Sequence, residues 1–391
     1  MSNGSKLAKI VLLILLAFAL DLCAMAASRA VRNPNAATKS RSVSESQKAK
    51  SKISRLKHTR RVRRYRERFY TSSFADDQVQ GDVVEGEDPL VRAAAIEALG
   101  NMNGTVLAID PKNGRILTMV NQKLALGEGA TPCSTIKLSV ALAALSEGLV
   151  SKDTPVALTK RWNMTLTKAL AVSNNTYFEH LGRQLGFEKV AYYARQFGLG
   201  ELAGWNIEGE HLGTYPSEEL DAKLGGVGRM CSFGDSISMT PLQLGAMVSA
   251  IANGGTLYYL QHPRTPEEVA AFQPVVKRQL DIAPLIPQIS EGMAGAVDYG
   301  TARTLHYNFS EEQVLGKTGT CSNKGTRFGW FASFANTEYG RIVVVVFLRG
   351  GRSTYGPKAA EIAGKMYRAL YDHSFFAATP ATAHAAAGAA Q

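Results

Sequence analysis

The sequence is poor in the residues that build metal centres. Of its 391 residues only four are Cys and seven are His. There is no C-x-x-C, no H-E-x-x-H and no paired His/Cys spacing, so neither a metal site nor another cofactor is expected. Long apolar runs are missing too. Ile10 to Leu20 is an unbroken apolar run of eleven residues, against the roughly 20 that a membrane helix needs, and Asp21 stops its extension. No internal repeat occurs, which argues against solenoids and propellers. Acidic residues are the minority, 33 against 44 Lys and Arg, but the imbalance is local. Residues 29–70 hold fifteen Lys and Arg against Glu45 and Glu67, a net +13. The first 28 residues add +1, so everything after residue 70 sums to −3.

The N-terminus has the build of an export signal. Lys6 and Lys9 precede the apolar run, and Ala24-Met25-Ala26 follows as an A-x-A cleavage pattern. Residues 1–27 are therefore read as a signal peptide, with an uncleaved anchor as the alternative. Either places the rest of the chain outside the cytoplasm, in the periplasm or cell envelope. Residues 28–86 read as a basic disordered linker, since the polar stretch Arg29 to Tyr70 has too little apolar surface to offset chain entropy. The block Arg60 to Tyr70 interleaves aromatic and basic residues as nucleic-acid binders do. Beside an export signal it reads instead as a tether for anionic lipid or wall polymer, and no nucleic-acid partner is expected.

The folded part is expected over residues 87–373, with a disordered Ala/Thr/Pro-rich tail at 374–391. Asp88-Pro89 opens a helical pattern with Leu90, Ala94, Ile96, Ala98 and Leu99 on or near one stripe, and Gly100 stops it. Thr105–Ile109 and Arg115–Val120 read as strands around the turn Asp110 to Gly114. Phe328–Ala335 and Arg341–Leu348 read as two more, and a last helix runs from Lys358 to about Tyr371. Thr240-Pro241-Leu242-Gln243 is a capping box with proline at the first helical position. Strands at both ends with helices between them imply an α+β domain, a sheet interrupted by a helical insertion.

Three short motifs lie in that domain. Ser134-Thr135-Ile136-Lys137 opens an apolar helical stretch, and the spacing of three puts Lys137 on the face of Ser134, one turn inward. Burial lowers a lysine's pKa, so Lys137 is suited to take the proton of the Ser134 hydroxyl. Alone, S-x-x-K also fits a helix cap with a snorkelling lysine, and it recurs in the basic stretch at Ser54 to Lys57. Ser173-Asn174-Asn175 sits in a break between helical stretches Leu166–Val172 and Thr176–Leu185, where Ser173 can pass a proton; alone it also reads as a cap. Lys317-Thr318-Gly319-Thr320 reads as a strand, with Gly319 allowing close backbone approach. Alternation separates Lys317 and Gly319 from Thr318 and Thr320, so a twist or bulge at Gly319 is expected if Lys317 and Thr320 serve one ligand.

In this order the motifs resemble those of the penicillin-binding proteins and serine β-lactamases, which use lysine where other serine acyltransferases use histidine. The resemblance covers roughly residues 87–372. It implies an antiparallel sheet flanked by N- and C-terminal helices with an inserted helical lobe. It makes Ser134 the nucleophile, Lys137 the base and Ser173 the proton relay. Asn175 would hold a substrate amide, Lys317 and Thr320 the substrate carboxylate with Thr318 and Gly319 beside them, and the amides of Ser134 and Thr320 would form the oxyanion hole. Gly329-Trp330-Phe331-Ala332 resembles the next strand of such sheets, with Trp330 read as core. The implied activity is D,D-transpeptidation or carboxypeptidation of peptidoglycan stem peptides ending in D-Ala-D-Ala, with β-lactams acylating the same serine. No E-x-x-L-N occurs near Asn206 or Glu210, and the second motif is S-N-N rather than S-D-N. Both departures point away from class A β-lactamases and leave a class D-like β-lactamase or a β-lactam-sensing receptor as alternatives. If Ser134 and Thr320 share an oxyanion hole, their neighbours Cys133 and Cys321 come within disulfide range, as in some class A carbapenem-hydrolysing enzymes. The alternative is two free buried thiols; Cys231 is left unpaired in either case.

Overall fold

The computed structural model describes residues 67–337 and 340–377. At its centre the run Ile342-Val343-Val344-Val345-Val346-Phe347-Leu348 is buried on both faces, as a strand sandwiched between helices must be. It forms β5 (Gly340–Gly350), flanked by β1 (Gly104–Asp110) with its partner β2 (Arg115–Val120) and by β4 (Thr326–Thr337) with its partner β3 (Val314–Asn323). The sheet order is β2-β1-β5-β4-β3, and every pair is antiparallel. The α+β reading is thus correct, and β3, the strand of Lys317 to Thr320, is an edge.

Alternation divides the core into two. Val106, Ala108, Val344 and Val346 face α1 (Pro89–Leu99) and α7 (Gly356–Asp372). Leu107, Ile109, Val343 and Val345 face the inserted helices. In that lobe, α2 (Lys137–Ser146) is buried along most of its length. Around it stand α3 (Leu166–Ala171), α4 (Asn175–Leu185), α5 (Pro241–Asn253) and α6 (Ile286–Asp298). The capping box forms as expected: Gln243 N donates to Thr240 Oγ1, and the Gln243 side chain accepts from Thr240 N. In α1, Asp88 caps the first turn and Pro89 occupies it, but Ile96 is 38% exposed and lies off the buried stripe.

Two boundaries are corrected. The stretch read as linker to residue 86 is fixed to the domain from about residue 70. Tyr70 N donates to Gly325 O, Ser73 Oγ accepts from Gly351 N, and the Asp82 carboxylate accepts the amides of Asn121 and Gln122 while pairing with Arg92. Side-chain hydrogen bonding and ion pairing, not apolar burial, hold this segment, which is why hydropathy missed it. At the other end Phe376 is buried against α7's core, so order reaches past 374. The signal, most of the basic stretch and residues 378–391 lie outside the described residues. Among those described, no helix is long and apolar enough to cross a membrane, and no group of His, Cys, Asp and Glu is arranged to hold a metal.

Candidate active site

The three motifs meet at one point. Ser134 lies in a 3-10 turn, Cys133–Ile136, which runs directly into α2 at Lys137; the expected helix start is this tighter turn. Ser134 Oγ is 3.0 Å from Lys137 Nζ. Lys137 is fully buried, and its Nζ also lies 2.8 Å from the Ser173 carbonyl, 2.6 Å from Asn175 Oδ1 and 3.2 Å from Ser173 Oγ. An ammonium has three protons to give, and four oxygens surround this one. A neutral amine likewise makes three of the four contacts: it donates to Asn175 Oδ1 and the Ser173 carbonyl and accepts from the Ser134 hydroxyl, and Ser173 Oγ is taken by Lys317. Burial first, and then the nearby Lys317, push Lys137 down to about 6, against a smaller upward pull from Glu179. That carboxylate is already paired with Arg183 at 2.8 Å.

Ser173 stands in the break between α3 and α4 with φ +55°, a left-handed conformation unusual for serine. Asn174, not Ser173, caps α4, its side chain accepting from Tyr177 N at 2.8 Å. This leaves the Ser173 hydroxyl free to face the lysines. From the other side Lys317 Nζ donates to Ser173 Oγ at 2.8 Å and to the Thr318 carbonyl at 2.9 Å. Lys317 is fully buried, and burial lowers it to about 7. Lys137, Ser173 and Lys317 therefore form one chain of exchangeable protons ending at Ser134.

Of the twist or bulge expected at Gly319, the bulge is absent. β3 pairs with β4 in unbroken register from Val314↔Ala335 to Asn323↔Thr326, so the two sides of the strand stay separate. Lys317 and Gly319 face the turn that carries Ser134, where a Cβ on Gly319 would come within 2.9 Å of the Pro132 carbonyl. Thr318 Oγ1 meets Thr301 Oγ1 at 2.6 Å, and Thr320 Oγ1 accepts from Gly356 N at 2.7 Å. Lys317 and Thr320 thus serve different sides of one strand.

Cys133 and Cys321 form a disulfide with Cα atoms 5.5 Å apart. Among the described residues, Cys231 is a free, buried cysteine. Cys133 also adopts a left-handed φ of +52°. Two contacts at the site were not legible in the motifs. Trp330 is core, as expected, with its ring stacked on Phe347 at 3.9 Å, but its Nε1 also donates to the Thr131 carbonyl at 3.0 Å. The G-W-F-A stretch marked Trp330 without revealing this partner. Thr301 gave no signal, since its partners are distant in sequence. Glu210, near which the water-positioning motif was sought, has its carboxylate occupied by the amides of Ala203 and Gly204 at 2.8 and 2.9 Å.

A five-stranded antiparallel sheet between terminal helices and an inserted helical lobe defines the class of serine β-lactamases and penicillin-binding proteins. Within that class the chain belongs to the penicillin binding protein transpeptidase domain family, whose model matches residues 104–368. It is 29% identical over 316 residues to Stage V sporulation protein D of Bacillus subtilis, covering 67% of this chain and 48% of that protein. It is 25% identical over 354 residues to the peptidoglycan D,D-transpeptidase MrdA of Haemophilus influenzae, covering 68% and 53%. The chain therefore spans about half the length of these curated relatives. Solved structures agree on the fold. Pseudomonas aeruginosa PBP2 in complex with WCK 5153 aligns with a TM-score of 0.62 at 22% identity, covering 76% of this chain and 82% of that one. Penicillin-binding protein A of M. tuberculosis, an imipenem acyl-enzyme complex, aligns with a TM-score of 0.61 at 21% identity, covering 72% and 78%.

Proposed function

We propose that this chain is a serine D,D-transpeptidase of the cell envelope that acts on peptidoglycan stem peptides ending in D-Ala-D-Ala. The observation that carries the reading is the 3.0 Å contact between Ser134 Oγ and a buried Lys137 poised near pKa 6. Neutral Lys137 takes the Ser134 proton as Oγ attacks the carbonyl of the penultimate D-Ala. The amides of Ser134 and Thr320 receive the oxyanion; each residue adjoins one cysteine of the disulfide, whose Cα atoms are 5.5 Å apart, so the bridge supports this pairing of amides. The proton then passes through Ser173 to the departing D-Ala amine. A neighbouring stem's amine resolves the ester, or water does so in a carboxypeptidase reaction. In a β-lactam the leaving nitrogen stays tethered, so the acyl-enzyme persists.

Asn175 has its Oδ1 on Lys137, leaving Nδ2 for a substrate carbonyl. The substrate carboxylate is drawn by the charge of Lys317 and lies along the edge of β3 at Gly319 and Thr320, while Thr318 keeps its hydroxyl on Thr301. No metal or cofactor enters this scheme. Residues 1–27 serve export or anchoring, and the basic stretch contacts anionic lipid or wall polymer; deletion of 29–66 should weaken binding to anionic vesicles and leave acylation unchanged.

A class D-like β-lactamase is the second reading. It requires a modified Lys137, and the crowding of Nζ by Ser134, Ser173 and Asn175 weighs against it. A labelled penicillin tests both readings. The wild type should label stoichiometrically and release the label slowly, and Ser134→Ala should remain folded and unlabelled. Labelling that survives in that variant overturns the assignment, and rapid multiple-turnover hydrolysis favours the β-lactamase.

A further inference from the structure

After α6 the chain makes one short turn, Tyr299-Gly300-Thr301, before a 3-10 helix over Arg303–Tyr307 leads towards β3. This turn touches both segments that carry the proton chain. Thr301 N donates to the Ala171 carbonyl at 3.2 Å, two residues before Ser173. Thr301 Oγ1 meets Thr318 Oγ1 at 2.6 Å, one residue after Lys317. The turn has its own anchor, since Ala302 N donates to Ala296 O at 2.7 Å. Its approach to α3 is so close that a Cβ on Gly300 would stand inside the Ala171 carbonyl, and on α6 a Cβ on Gly292 would come within 2.7 Å of Leu170 Cβ.

Resting on the acyltransferase reading, we infer that Thr301 is a positioning residue that clips the Ser173 break to the Lys317 strand. Ser173 is held in a left-handed conformation, which persists only where its flanks are fixed. The Thr301 amide fixes the carbonyl at Ala171. Its hydroxyl fixes the side chain of Thr318, whose own carbonyl accepts from Lys317 Nζ. One residue thus sets the spacing across which Lys317 reaches Ser173 Oγ at 2.8 Å. Thr318 is only 4% exposed, so water does not readily replace a lost partner there. Thr301 touches neither lysine nor the nucleophile, and its effect is on geometry.

Thr301→Val keeps the shape and the amide hydrogen bond and removes the hydroxyl, while Thr301→Ser retains the hydroxyl. In full-length protein, the rate of acylation from the bound complex with a fluorescent penicillin should fall on the order of tenfold or more in the valine variant, since small misplacements of reacting groups act on the rate. The affinity of the initial complex should change little, and the serine variant should return to within about twofold of wild type. Amide hydrogen exchange followed by mass spectrometry gives a readout that needs no penicillin. Peptides spanning Val172–Asn175 and Lys317–Thr320 should both lose protection in the valine variant, with β1 and β2 unchanged. A valine variant that acylates at the wild-type rate, or whose lost rate is matched by the serine variant, overturns the inference. Unchanged exchange at both segments overturns it too, even if the wild type takes no label, an outcome that would by itself sink only the acyltransferase reading.

Discussion

The share of Lys137 able to take the Ser134 proton should fall about tenfold as the pH is lowered from 7 to 5, and acylation with it by about fivefold once the part-titrated Lys317 is counted. On the acyltransferase reading the base is Lys137, held at about 6, so roughly nine-tenths of it is neutral one unit above that value and one-tenth one unit below. Lys317 titrates next, near 7, and with its proton goes the positive charge beside Ser173. The profile should therefore rise through pH 6 and decline above 7, and the two limbs belong to the coupled pair. The informative perturbation is Lys317→Gln. The charge of Lys317 is the second cause of Lys137's low value, after burial, so its removal lets Lys137 hold its proton to higher pH. The acid limb of the residual activity should move up, and the alkaline decline should vanish. Single-turnover labelling with a fluorescent penicillin from pH 4.5 to 9, with the fold followed by circular dichroism at each pH, makes the measurement. A rate flat from pH 5 to 7, or an acid limb that moves down in Lys317→Gln, would refute a neutral lysine base.

Removing the disulfide with Cys133→Ala and Cys321→Ala frees a loop with a sequence separation of 188, for which chain entropy gives about 5 kcal/mol and native bridges typically 2–5 kcal/mol; an unchanged Tm in an oxidised preparation would mean the bridge contributes nothing. Trp330→Phe keeps the buried ring and loses the bond to the Thr131 carbonyl, so unfolding by denaturant should show a loss of about 1 kcal/mol together with slower acylation. Lys137→Met should abolish acylation and lessen the pH dependence of stability, leaving the part that Lys317 contributes. A lysine lowered to about 6 from 10.5 binds a proton in the unfolded chain but not in the folded one between those values, so from pH 7 to 9 the wild type should gain about 1.4 kcal/mol per pH unit relative to the variant. A difference that stays constant with pH would contradict a neutral buried amine.

Much of this was legible because the local signals agreed with the fold. Alternation and β-branched runs marked β1, β2, β4 and β5, and the Thr240 capping box marked the start of α5 to the residue. The motif residues announced themselves by order and spacing. What escaped was set by partners far along the chain. Residues 70–86 carry a poor apolar pattern and are ordered by Asp82, Ser73 and Tyr70 bonding to segments up to 278 residues away. The absent bulge at Gly319 was inferred from the wish that Lys317 and Thr320 meet one ligand; the register with β4 overrides it. Asn175 was read as holding a substrate amide, and nothing in its motif showed that its oxygen also bonds Lys137. Thr301 has no motif at all, and only the packing of α6 on α3 brings it to the site.

The site gathers several features that disfavour folding. Two non-glycine residues, Cys133 and Ser173, sit in left-handed conformations beside two fully buried lysines, features that each disfavour the folded state. Each is held from outside itself: Cys133 by its bridge to β3, the nucleophile's turn by Trp330, and Ser173 by Lys317 and the fixed carbonyl of Ala171. On the transpeptidase reading this has a consequence for which acceptor resolves the ester. Glu179 is paired with Arg183 and Glu210 accepts from the amides of its own loop, so neither stands ready to activate water. Lys137 then remains the base at the ester. An amine is already a good nucleophile and needs only somewhere to leave its proton, whereas water must be deprotonated as it attacks. A neutral lysine near 6 suits the first task better than the second, so the same rigid geometry that acylates Ser134 readily should pass its acyl group to a neighbouring stem faster than to solvent.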